Sequence, residues 1–121
     1  MEFITGSSNP EDFIVRYERW NKITVITKGS EGSLGYFMQE VVEKKAWTPG
    51  EVVDTTGCGD AYMAGLIYTF SKHSEFSLKV LEEAMEYGTV MAGIVATRYG
   101  AASAMPSRDE MERYLLEIRR R

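Results

Sequence analysis

The sequence predicts an α/β protein of one layered domain, with helices covering a mostly parallel sheet. Three observations carry this. Short β-branched and apolar runs at residues 23–27, 34–38 and 41–47 sit together in the first half. Apolar residues at helical spacing dominate the stretch after residue 59. Turn residues punctuate the boundaries, so strands and helices alternate with short connections.

In chain order, residues 1–5 read as a thin strand. Asn9-Pro10-Glu11-Asp12 has the composition of a helix start, with Pro at the first helical position and acids behind it. Phe13, Tyr17 and Trp20 then follow at helical spacing. Ile23 to Thr27 is a β-branched strand closed by Lys28-Gly29-Ser30-Glu31-Gly32. Leu34 to Met38 and Val41 to Trp47 read as two strands joined by a tight turn at Gln39-Glu40, and Pro49-Gly50 marks another turn.

Three helices are expected beyond. The first runs from near Gly59 to about Ser71. Ser77 caps the second, with Phe76 and Leu81 spaced as a hydrophobic staple, and its pattern continues to Arg98 with Gly100 as the C-cap. The half from Val90 to Ala96 is small and apolar nearly all round, so it should be buried. The third opens on the capping box Ser107-x-x-Glu110 after Pro106, with Met111, Leu115 and Ile118 as its apolar stripe.

Composition narrows the function. The chain has 121 residues, is 44% hydrophobic and carries a net charge of −4, typical of a soluble globular domain, and with no leader-like start to the sequence the cytoplasm is the expected compartment. No segment is apolar enough to span a bilayer. A single cysteine excludes a disulfide framework or a cysteine zinc site. Arg119-Arg120-Arg121 is the one basic cluster, so no nucleic-acid partner is expected. His73 lies in a polar connection and is expected to be exposed and inert. Glu82, Glu83 and Glu86 read as a solvated helix face.

The chemistry concentrates at Val53-Asp54-Thr55-Thr56-Gly57-Cys58-Gly59-Asp60-Ala61. Two extended residues enter an Asp-Thr-Thr turn, and Gly-x-Gly-Asp then opens a helix. Unpaired N–H groups at such a helix start favour an anion. Asp60 falls in the first helical turn, a carboxylate beside that anion pocket. Together they suit phosphoryl transfer, the amides neutralising charge while the carboxylate takes a proton from an attacking hydroxyl. The competing reading is a glycine turn in which Asp60 caps the helix and Asp54 bonds its own backbone.

The run Asp54-Thr-Thr-Gly-Cys-Gly-Asp60-Ala-Tyr-Met-Ala-Gly65 resembles the C-terminal signature of the PfkB, or ribokinase-like, carbohydrate kinases. The resemblance implies that Gly57, Cys58 and Gly59 form the anion hole and that Asp60 is the catalytic base. It implies ATP-dependent phosphorylation of a sugar hydroxyl, with Mg²⁺ arriving on the ATP. Residues 1–121 would be the nucleotide-binding, catalytic-base part, the sugar-binding half and its lid lying outside. Thr27-Lys28-Gly29-Ser30-Glu31-Gly32 resembles the family's nucleotide-facing loop, which puts Thr27, Gly29 and Gly32 against ATP; as a bare sequence it is also a plain turn. Gly88 falls where many members place an adenine-contacting asparagine.

Asp54 and the Thr56 carbonyl, with carbonyls near Ala96-Thr97-Arg98-Tyr99-Gly100-Ala101, correspond to the family's monovalent-cation site, implying K⁺. Cys58 is either a small residue suited to the turn or a thiol activated by the helix start. Two other functions fit the same residues: a nucleoside kinase of this family, or a non-catalytic remnant that binds a nucleotide or a partner. Apolar surface left uncovered by the absent half implies self-association.

Overall fold

The structure, a computed structural model, describes residues 2–4, 12–17, 23–99 and 105–119. Five strands come first: β1 (Glu2–Ile4), β2 (Asp12–Tyr17), β3 (Ile23–Lys28), β4 (Ser33–Phe37) and β5 (Glu40–Lys44). Three helices follow: α1 (Cys58–Ser71), α2 (Leu78–Ala96) and α3 (Arg108–Arg119). Helices packed on a sheet bear out the α/β class.

The direction of the sheet corrects the expectation. The strands lie in sequence order, β1-β2-β3-β4-β5, and every pairing is antiparallel. A parallel pair needs a crossover of about a dozen residues or more. Only residues 29–32 separate β3 from β4, and only Met38-Gln39 separate β4 from β5. The connections are too short for anything but hairpins.

A second correction concerns residues 12–17, where helical spacing of aromatics predicts a helix. They form β2, held in register on both sides, with Ile14 opposite Ile26 and Arg16 opposite Glu2. Phe13-Ile14-Val15 is a β-prone run, and pairing on two edges outweighs a local periodicity. Asn9, Pro10, Glu11 and Trp20 lie outside the described residues, as does Gly100. The hairpin turn falls at Met38-Gln39, one residue earlier than expected, with Met38 at φ 57°. β5 ends at Lys44 instead of Trp47, and α2 at Ala96 instead of Arg98.

The core forms where the inner sheet face meets two helices. Ile23 and Val25 of β3 and Val42 of β5 pack with Tyr62, Leu66 and Phe70 of α1 and with Val80, Leu81, Ala84 and Met85 of α2. Alternation along β3 produces this face, Ile23, Val25 and Thr27 being buried and Thr24 and Ile26 half-buried. Each such aliphatic side chain contributes about 1.5–3 kcal/mol by leaving water. A second cluster joins Val90 and Ile94 of α2 to Met111 and Leu115 of α3, with Trp47 and Tyr114 against it. The Trp47 and Tyr114 rings meet edge to face at 5.4 Å.

Local signals set the helix ends. The Ser77 hydroxyl accepts the Val80 N–H at 3.2 Å, while Phe76 and Leu81 share the core cluster as a staple does. Ser107 and Glu110 exchange both bonds of a capping box at 3.2 Å. α1 and α2 approach closely at Gly65 and Gly88, where a Cβ on Gly65 would lie 2.7 Å from the Gly88 Cα.

Candidate active site

The signature turn hangs from the end of α2. A helix leaves its last carbonyls without intrahelical partners. One of these, Ala96 O, accepts the N–H of Val53 at 2.8 Å and of Asp54 at 3.2 Å. The Asp54 carboxylate then accepts the Thr56 N–H at 3.0 Å, closing an Asx turn. Gly57 follows at φ 83°, a left-handed conformation that suits a residue without Cβ, and it is the N-cap of α1. Its carbonyl accepts the Ala61 N–H at 2.9 Å.

This geometry sets what the helix start offers. The amides of Gly59 and Asp60 belong to the first turn and have no carbonyl one turn back within the helix. The Cys58 amide donates instead to Thr55 O at 3.2 Å. The Cys58 thiol lies 3.5 Å from Ala92 O as a donor and packs beside Ala61 and Val95, so Cys58 serves the turn as a small, half-buried side chain. Asp60 is exposed in the first turn. Asp54 is half-buried and Thr56 exposed, and their oxygens are hard donors of the kind a monovalent cation takes. Residues 100–104, among them Gly100 and Ala101 of the expected cation site, lie outside the described residues. Among the described residues no three His, Cys, Asp or Glu side chains gather as a metal cluster.

The glycine loop is a one-turn 3-10 helix, Gly29–Glu31, at the end of β3. Gly32 N donates to Gly29 O at 3.1 Å and Lys28 N to Gly32 O at 2.8 Å. Gly32 is buried at φ 92°, and a Cβ there would strike the Lys44 carbonyl. The loop therefore lies flat against residues 44–46. Those residues, with Trp47, Glu86, Thr89 and Ile118, line a cavity of about 420 Å³. Gly29 is exposed and Thr27 buried. Gly88 is buried against Tyr62 in the α1–α2 contact, where a Cβ would come within 2.9 Å of Tyr62 O.

One buried network joins loop and signature. The Tyr62 hydroxyl donates to Ser33 Oγ at 2.8 Å, one residue after Gly32 and two after Asp60 in their respective segments. Burial pushes the Tyr62 pKa far above its usual range, so the hydroxyl keeps its proton, while bonds to Ser33 and Thr89 act in the opposite sense. Thr89 in turn donates to Met85 O at 2.7 Å. Sequence reasoning singles out neither Ser33, Tyr62 and Thr89 nor the cavity. Their signal was faint: a Tyr inside the signature helix and a Ser closing the glycine loop.

Two surface expectations are corrected. His73 Nε2 lies 3.3 Å from Glu83, which also faces Lys72 at 3.7 Å, so His73 does have an acidic neighbour. Glu86 accepts from Arg119 at 2.6 Å, so two of the three acids on that face are engaged. The helix turn brings these charges together across elements, which linear spacing does not reveal.

The turn sets amides at a helix start beside an exposed carboxylate and is joined to the glycine loop through Tyr62 and Ser33, on a frame of helices packed against a sheet. Residues 1–108 match the family described as pfkB family carbohydrate kinase, and the chain belongs to it. It is 32% identical over 115 residues to 5-dehydro-2-deoxygluconokinase of Bacillus subtilis, covering 95% of this chain and 34% of that protein. It is 32% identical to probable fructokinase-7 of Arabidopsis thaliana, covering 97% and 36%. Among solved structures it is similar to aminoimidazole riboside kinase from Salmonella enterica, complexed with aminoimidazole riboside and an ATP analogue. The TM-score is 0.71 and the identity 31%, over 77% of this chain and 31% of that one. The chain spans about a third of the length of the relatives it matches. No helix among the described residues is long and apolar enough to cross a membrane.

Proposed function

We propose that this chain supplies the nucleotide-holding and catalytic-base part of an ATP-dependent carbohydrate kinase. The observation that carries the reading is the start of α1, where a left-handed Gly57 presents first-turn amides beside an exposed Asp60. The Gly59 and Asp60 amides receive the transferring phosphoryl oxygens, helped by the helix dipole. The Gly57 amide flanks them, and Cys58 joins them by giving up its bond to Thr55. Asp60 accepts the proton of the sugar hydroxyl as that oxygen attacks. ATP supplies the phosphoryl group, with Mg²⁺ carried on its phosphates.

Gly29 is the exposed part of the wall that lies along the nucleotide, buried Thr27 and Gly32 shaping the loop behind it, and the adjoining cavity between Lys44 and Ile118 receives its far end. Gly88 contributes by letting α2 close on α1 behind that wall. Asp54 and the Thr56 carbonyl hold K⁺ at the base of the turn, where a cation strengthens the anion site. The cytoplasm, which holds ATP and Mg²⁺, is a compartment compatible with this activity.

Calorimetric titration of the 121-residue chain with Mg-ATP, with and without K⁺, tests the reading. Saturable binding that tightens with K⁺ is expected. A folded chain that binds nothing would sink the proposal and leave a non-catalytic remnant of the family.

A further inference from the structure

The turn that presents the amides owes its position to one carbonyl, and the end of a helix is where a carbonyl is least restrained. Ala96 is the last residue of α2, and its oxygen accepts the N–H groups of both Val53 and Asp54. Helix ends fray unless something holds them. Two residues on, Arg98 forms a two-pronged contact with Glu110 of α3, Nη1 to Oε1 at 3.4 Å and Nη2 to Oε2 at close range. Both side chains are about two-thirds covered, which limits screening by solvent. Glu110 is itself fixed, since its Oε1 also accepts the Ser107 N–H in the capping box. The charges suit their places, a cation at the C-terminus of α2 and an anion in the first turn of α3. The contact spans twelve residues and closes the connection between the two helices.

We propose that Arg98 and Glu110 are positioning residues for the phosphate-binding turn: their pair pins the end of α2, and with it the Ala96 carbonyl from which residues 53 and 54 hang. This rests on reading residues 54–60 as that turn. Neither side chain touches the phosphate. They act through Ala96 by keeping the entry to Gly57 in one place. Arg suits the task better than Lys because its planar fork meets both carboxylate oxygens at once.

Amide hydrogen exchange on the full chain tests the proposal without relying on catalysis. Glu110→Gln keeps an acceptor for the capping box and removes the charge; Arg98→Met removes the fork and keeps the stem. Each should speed exchange at Val53 and Asp54 about tenfold, the scale of losing a charge-assisted contact. Arg98→Lys should restore part of the protection, and Leu66 and Met85 amides in mid-helix should not change. The same variants should weaken Mg-ATP binding in step with the loss of protection. Unchanged exchange at residues 53 and 54 would overturn the proposal. Equal acceleration at Leu66 and Met85 would do so too, by showing a general loss of stability. Failure of the parent chain to bind Mg-ATP would refute the functional reading, and exchange would then decide the clamp alone.

Discussion

Glu110 carries several jobs on one carboxylate. The Arg98 side chain, and after it the Ser107 N–H, hold its pKa below the usual 4.5. A carboxylate whose folded pKa is depressed stabilises the fold above its unfolded pKa and loses that contribution as pH falls through the folded value. The window therefore opens near pH 4.5 and extends downward. In thermal melts, Glu110→Gln should lower Tm by about 4 °C at pH 7, a shift typical of a one-kcal/mol loss in a domain this size. The gap between parent and variant should narrow steadily as the pH drops below 4.5. A gap that stays constant across that range would show that the charge on Glu110 contributes nothing. Asp54 works by simpler means, spending one carboxylate oxygen on Thr56 to shape the turn.

At the level of elements, the close contact of α1 and α2 pits two effects against each other. Replacing a helical Gly by Ala gains about 1 kcal/mol of helix propensity. At Gly65 the added methyl would sit 2.7 Å from the Gly88 backbone, which has no side chain to move aside. Overpacking of this kind costs about 1–3 kcal/mol, and here it acts on both helices. Gly65→Ala should therefore be destabilising by about 1–2 kcal/mol in urea unfolding; a more stable variant would mean that the helices separate freely. The helix caps were legible in the sequence because Ser77, Ser107 and Glu110 act on neighbours three residues away. The sheet was less so. Helical spacing of Phe13 and Tyr17 masked a strand whose partners lie elsewhere in the chain. The short links at residues 29–32 and 38–39 already required antiparallel hairpins, a signal present but outweighed by the alternation of element types. The signature turn was readable because its Asx turn and left-handed glycine are local, whereas its anchor on the Ala96 carbonyl is not. The Ser33–Tyr62 bond, the cavity behind Gly32 and the Arg98–Glu110 contact join residues at least twelve apart, and linear spacing cannot disclose them.

For the whole molecule, binding and turnover should separate. The loop, the cavity and the amides at the start of α1 all lie within this chain, tied together by Ser33 and Tyr62. Asp60 is exposed, the side from which the proposed sugar would approach, and the chain covers about a third of its relatives' length. Asp60 in this reading touches the acceptor hydroxyl and leaves the nucleotide to glycine amides and the cavity. Asp60→Asn keeps the shape and the backbone donor but cannot take a proton. In a kinase carrying this segment, the substitution should lower kcat by about 10²–10⁴, the usual share of a general base. The affinity for Mg-ATP should remain within about twofold, since loss of a group that acts only in the transition state leaves ground-state binding in place. Near-parent turnover would remove Asp60 from the mechanism. Loss of ATP affinity with kcat intact would move it to the nucleotide wall instead. The two measurements on one variant thus distinguish a base from a binding residue, the distinction on which the reading of Gly-x-Gly-Asp depends.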